Sequence, residues 1–63
     1  MSDVKKRGYT YAEAAIYLGS SETVIKRAVA RGDIPARYLG SRVLLDVEDL
    51  DAFFDGLPTE RTT

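Results

Sequence analysis

Lys26, Arg27, Arg31, Arg37 and Arg42 fall within residues 20–42, where only Glu22 and Asp33 oppose them. Cations at this density suit the binding of phosphate oxygens. Arginine adds a planar fork that can grip a guanine edge with two parallel hydrogen bonds. The chain as a whole is slightly acidic, with a net charge of −1. Its charge is unevenly divided: residues 1–42 hold eight Lys/Arg and four Asp/Glu, or +4, whereas residues 43–63 hold one basic and six acidic residues, or −5. Such asymmetry hints at a surface facing nucleic acid or a membrane, although short chains also cluster charge by chance.

Other chemistries find little to work with. Cysteine and histidine are both absent, so no disulfide framework, no Cys/His zinc site and no Cys or His nucleophile is available. No glycine-rich phosphate loop is present, and the carboxylates gather mostly in one segment. Neither an enzyme nor a cofactor is expected. The N-terminal "MSDVKKRGY" has basic residues but no apolar stretch after them, unlike a signal peptide. The apolar runs are far too short to span a membrane. A soluble cytoplasmic protein of one domain is expected, and at 63 residues it buries only about 60% of the surface its unfolded chain exposes.

The elements that must position the cations read as follows. Residues 1–8 are polar and expected to form a flexible arm. Thr10 and Glu13 have capping-box spacing, Tyr9 stands where it can staple onto Ala14, and Tyr11, Ala14, Ala15 and Leu18 form an apolar stripe. The spacing predicts a helix over 11–18, stopped by Gly19. After a short "GSS" link, Ser21 is an N-cap for a second helix over 22–31, with Ile25, Ala28 and Val29 on its core face and Gly32 beyond its end. Two short helices joined by a tight Gly-Ser turn read as a helix-turn-helix.

Past Pro35 the period changes. "ARYLGSRVLL" suggests strands near 36–39 and 42–45 around a type II′ turn at Gly40-Ser41, with Leu39, Val43 and Leu45 inward and Leu44 outward. Ile16 is likewise left outward on its helix. Asp46 then caps a third helix in which Val47, Leu50, Phe53 and Phe54 are apolar, closed by Gly56 and Pro58. Residues 57–63 are expected to be a disordered tail. Helix, turn, helix, hairpin, helix over 9–56 is the plan of a winged helix-turn-helix, mainly α with a small β-hairpin.

On a helical wheel Thr23, Arg27 and Ala30 lie opposite the core face of the second helix, flanked by Lys26, Val24 and Arg31. Such a helix fits the major groove of B-DNA, where base edges carry a full donor and acceptor code. Arg27, at the centre of the outer face, is placed for a base; Lys26 and Arg31 suit phosphates; Thr23 suits a thymine methyl or a phosphate. Ser21 caps the helix where a backbone N–H can meet a phosphate. Arg37 and Arg42 flank the Gly40-Ser41 tip, on a hairpin able to reach the minor groove, where arginines read groove width. Each cation also has a plainer reading: Glu22 can pair with Lys26 at i, i+4, and Arg37 can blunt a sheet edge. The acids Asp46, Glu48, Asp49, Asp51 and Asp55 are expected to face away from DNA.

From Tyr9 to Asp55 the chain resembles the small DNA-binding domains of phage excisionases, or recombination directionality factors, which are similar to the N-terminal domain of MerR-type regulators. The resemblance is carried by "T-x-x-E-A-A-x-Y-L-G" from Thr10 to Gly19, "R-G-D-I-P-A" from Arg31 to Ala36, "L-G-S-R" at the wing tip and "E-D-L-D-A-F" near the end. It departs from the family at Ser20, where the turn usually has an apolar residue. It departs also at Glu22, where a basic residue often begins the recognition helix, and at Ser41, where a second wing-tip cation is common. These departures bear on the target sequence rather than on the docking mode.

The resemblance implies a factor that binds repeated sites beside a phage attachment site, contacts other copies of itself head to tail and bends the DNA. It would thereby direct a phage integrase toward excision in the bacterial host cell. Double-stranded DNA, integrase and its own copies are the implied partners, with no membrane. Two other readings stand beside it. One is a small MerR-like transcriptional regulator, for which a long dimerisation helix would be expected after this domain. The other is a protein-interaction module using the acidic third helix without DNA.

Overall fold

A computed structural model describes residues 6–60. The elements run β1 (Gly8–Tyr9), α1 (Tyr11–Leu18), α2 (Glu22–Ala30), β2 (Arg37–Leu39), β3 (Arg42–Asp46) and α3 (Val47–Asp55). The architecture is the expected one, three helices and a wing-like hairpin, with one addition. A short strand before α1 pairs with β3, so the hairpin grows into a three-stranded antiparallel sheet of order β1-β3-β2.

The helix ends follow from local chemistry. Thr10 Oγ1 accepts from the Glu13 N–H at 3.2 Å while Glu13 Oε1 accepts from the Thr10 N–H at 3.0 Å, a complete capping box. The turn between α1 and α2 depends on Gly19, whose φ of 71° is left-handed. With that residue turned back, the Ser20 N–H reaches the Ala15 carbonyl at 2.7 Å and satisfies an orphan acceptor. Ser20 is exposed, and its backbone alone performs this role. Ser21 then caps α2 by accepting from the Val24 N–H at 3.2 Å. The α2 terminus closes with paired bonds from Gly32 to Val29 and from Asp33 to Ala28.

The core is one cluster: Ala14, Ala15, Ile25, Ala28, Ile34, Leu45 and Leu50, with Tyr9, Tyr11, Leu18, Val29, Ala36 and Phe53 packed around it. Helix α1 is the common platform, packing against α2, β1, β3 and α3. Its alanines let α2 approach closely, which is how a chain this short fits three helices around one core.

Two expectations change. Leu39 is two-thirds exposed rather than inward. The two-residue turn pairs Leu39 with Arg42, so Leu39 shares the outer face with Arg42 and Leu44, while Val43 and Leu45 face the core. Leu44 is outward as expected, yet half-covered, because its side chain lies over Gly8. The arm expected over residues 1–8 overlaps the fold at its end: Gly8 pairs with Asp46, and the Arg7 carbonyl accepts from the Val47 N–H at 2.9 Å. Residues 1–5, and residues 61–63 of the expected tail, lie outside the described residues.

At the wing tip, positive φ is confined to Gly40, at 63°, and Ser41 has none. That separates the expected II′ geometry from a I′ turn, which needs positive φ at both central residues.

Candidate nucleic-acid interface

The nine residues singled out from the sequence are all exposed: Ser21, Thr23, Lys26, Arg27 and Arg31 along α2 and its ends, and Arg37, Gly40, Ser41 and Arg42 on the hairpin. Burial of Ile25 and Ala28 against α1 orients α2. It leaves Thr23, Arg27 and Ala30 on the opposite, solvent face and Lys26 exposed on its flank.

The five cations differ in what already holds them. Lys26 Nζ lies 3.6 Å from Glu22 and 5.6 Å from the Tyr11 ring centroid, so both the i, i+4 pair and a cation–π contact occupy it. Arg31 donates from Nε to Asp33 Oδ2 at 3.1 Å. Arg37 turns away from the tip: its Nη2 is 3.6 Å from Asp49 and its Nε 3.8 Å from Asp46. Arg27 and Arg42 have no ion pair and no side-chain hydrogen bond among the described residues. Their guanidinium groups keep all five donors for a ligand. One stands on the outer face of α2 and the other opens β3 at the wing tip.

The acids are managed by the fold. Asp46 is nearly buried, at 6% exposure. Its Oδ1 accepts from the Glu48 N–H at 3.0 Å to cap α3, and its Oδ2 accepts from Arg7 Nη2 at 3.0 Å. The Glu48 N–H first, and the Arg7 guanidinium next, hold its carboxyl below the ordinary range, outweighing the opposing effect of burial. Glu13 is lowered too, chiefly by Lys6 and then by the Thr10 N–H. The Tyr17 hydroxyl of α1 donates to Asp51 on α3 at 2.6 Å, which raises the phenol's pKa.

Sequence reasoning missed two exposed wing residues, Tyr38 at 73% and Leu39 at 66%. Turn-fixed pairing could have found Leu39. Tyr38 is opposite Val43, on the side of the sheet that Val43 and Leu45 turn to the core, yet it stays exposed. Ile34, buried at 1%, was also missed; an apolar residue squeezed between Asp33 and Pro35 was its only sequence signal. Among the described residues no group of three or more Asp, Glu, His or Cys is placed to hold a metal ion. No helix there is long and apolar enough to cross a membrane.

The family model described as a helix-turn-helix domain matches residues 9–57, from the residue before the α1 cap to the residues just past α3. No curated protein and no solved structure matches the chain.

Proposed function

The chain belongs to the helix-turn-helix domain family, a double-stranded-DNA-binding fold, and from that premise we propose that it is an excisionase-like accessory factor. In this reading α2 enters the major groove and the β2–β3 hairpin lies over the adjoining backbone and minor groove. The observation that carries the docking mode is the pair of unengaged arginines, Arg27 on the outer face of α2 and Arg42 at the wing tip. Their fully available donors suit a base edge and a narrow groove respectively. Lys26, Arg31, Thr23 and Ser21 supply phosphate contacts, with Gly40 and Ser41 allowing the tip to approach closely. For Lys26 and Arg31 this means exchanging an exposed carboxylate partner for a phosphate, a small cost at the surface.

A domain with so few cations binds weakly alone. Occupancy of repeated sites by several contacting copies would raise affinity through effective concentration, and the excisionase resemblance supplies the setting: repeats beside a phage attachment site, bent DNA and a partner integrase.

Gel-shift titrations on a duplex spanning a phage attachment region, beside an unrelated duplex and at several salt concentrations, test this. Discrete, repeat-dependent complexes support the reading. Equal weak binding to both duplexes removes the accessory-factor role and favours a regulator with its site elsewhere. No binding to either at low salt removes the DNA-docking mode.

A further inference from the structure

The C-terminal turn of α1 and the outer side of α3 form an open groove of about 650 Å³. Its apolar walls are Ile16 and Phe54, exposed at 81% and 54%, and the strip continues to Leu57 at 43%. Asp51 and Asp55 rim it, and no Lys or Arg lines it. Glu48, Asp51 and Asp55 follow i, i+3, i+7 spacing, so one side of α3 presents a row of carboxylates beside the apolar strip. None of the three is ion-paired among the described residues. Contiguous apolar side chains rimmed by charge mark an interaction surface rather than scattered exposure.

We propose that this groove docks a basic amphipathic helix of a different protein. Aliphatic side chains of that helix fill the space between Ile16 and Phe54, and its lysines or arginines meet Asp51, Asp55 and Glu48. Charge complementarity selects the occupant. DNA is repelled by the carboxylates. A second copy of the chain is a poor match, given the DNA-binding reading, on which the inference rests at this one point. Among the described residues, the copy's α2 and hairpin cations are then on phosphate, while its Lys6 and Arg7 are held by Glu13 and Asp46. The groove belongs to α1 and α3, so it stays open while α2 and the hairpin are on DNA, and the partner is recruited beside the duplex.

The test uses the full chain, ¹⁵N-labelled, titrated with a synthetic peptide of about four helical turns bearing a leucine stripe and lysines elsewhere. The same peptide with every lysine replaced by glutamate is the control. The expected result is chemical-shift change confined to residues 16–19 and 48–57, weakened by salt and absent with the glutamate peptide. Ile16→Ser with Phe54→Ser should weaken binding about tenfold while leaving gel-shift affinity for DNA within about twofold. Asp55→Lys tests the charge without touching the apolar walls, at a helix end that favours a cation. It should weaken the lysine peptide and bring in the glutamate one. Shifts centred on α2 or the hairpin, or equal response to both peptides, overturn the proposal. So does a concentration-dependent dimer that the Ile16/Phe54 double variant abolishes, because a second copy is then the occupant. Failure of DNA binding alone is read in the gel shift and leaves the peptide result to stand separately.

Discussion

Arg37 reaches back from the wing to Asp49: its Nη2 lies 3.6 Å from Asp49 Oδ2, a buried oxygen with no hydrogen bond among the described residues. A residue that reads from sequence as a DNA-facing cation thus also ties the hairpin to α3. Asp46, 3.8 Å from Arg37 Nε, extends the link toward Arg7.

Removing Arg37 is therefore expected to act on stability. Arg37→Ala should lower unfolding free energy by about 1 kcal/mol, held to that size because water screens the exposed guanidinium. In an Asp49→Asn background, where no buried charge is left unpaired, most of the loss should vanish. Urea denaturation of the four proteins in this double-mutant cycle measures it. Additive effects would show that the contact contributes nothing.

Arg27 and Arg42 are expected to act on DNA instead. Arg27→Ala should weaken specific binding about tenfold or more, the scale of one lost bidentate base contact. Arg42→Ala should weaken it less, and Arg37→Ala less again. The salt dependence of binding should follow a log–log slope of about −4, suiting four to five phosphate contacts. Fluorescence anisotropy across a salt series checks both. Equal losses for Arg37 and Arg42 would mean that Arg37 leaves Asp49 on binding.

The hairpin register is testable by a pair of leucines. Leu50 is fully buried and Leu39 two-thirds exposed. Leu50→Ala should cost about 2–5 kcal/mol, enough to unfold much of a population in so small a domain. Leu39→Ala should stay within about 0.5 kcal/mol. Thermal melts by circular dichroism distinguish them, and a large loss at Leu39 would contradict the pairing of Leu39 with Arg42.

Acid should loosen the fold through Asp46 and Glu13. Both carboxyls titrate below their ordinary values in the folded chain, so between folded and unfolded values the unfolded chain binds more protons. The stability they contribute is present above pH about 4–5 and is lost as pH falls through their folded values. Asp46→Asn should lower stability at neutral pH and flatten its fall on acidification. Urea midpoints between neutral pH and pH 3 would show this, and parallel acid limbs for both proteins would count against it.

Much of the fold was legible because its signals act over one turn of chain. The Thr10–Glu13 box, Gly19, the Ser21 cap, the Ile25–Ala28 spacing and the Asp46 cap each need only neighbours within about four residues, and α1 spans the residues the spacing implies. Leu39 was legible too, since a two-residue turn sets its partner and alternation sets its face; counting inward positions from the apolar pattern alone misplaced it.

The sequence by itself determined the order of the three helices and the hairpin, the apolar stripe that turns α2, and which residues carry charge on its outer face. Only the tertiary structure decided the pairings between distant segments. Arg7 meets Asp46 across 39 positions of chain, β1 forms only because β3 offers it a free edge, and Arg37 finds Asp49 only once the hairpin lies against α3. Local periodicity carries no information about such pairings, because an ion pair depends on where two distant backbones are brought together. Of the five cations, near neighbours Glu22 and Asp33 engage Lys26 and Arg31 and packing engages Arg37, while Arg27 and Arg42 stay open among the described residues.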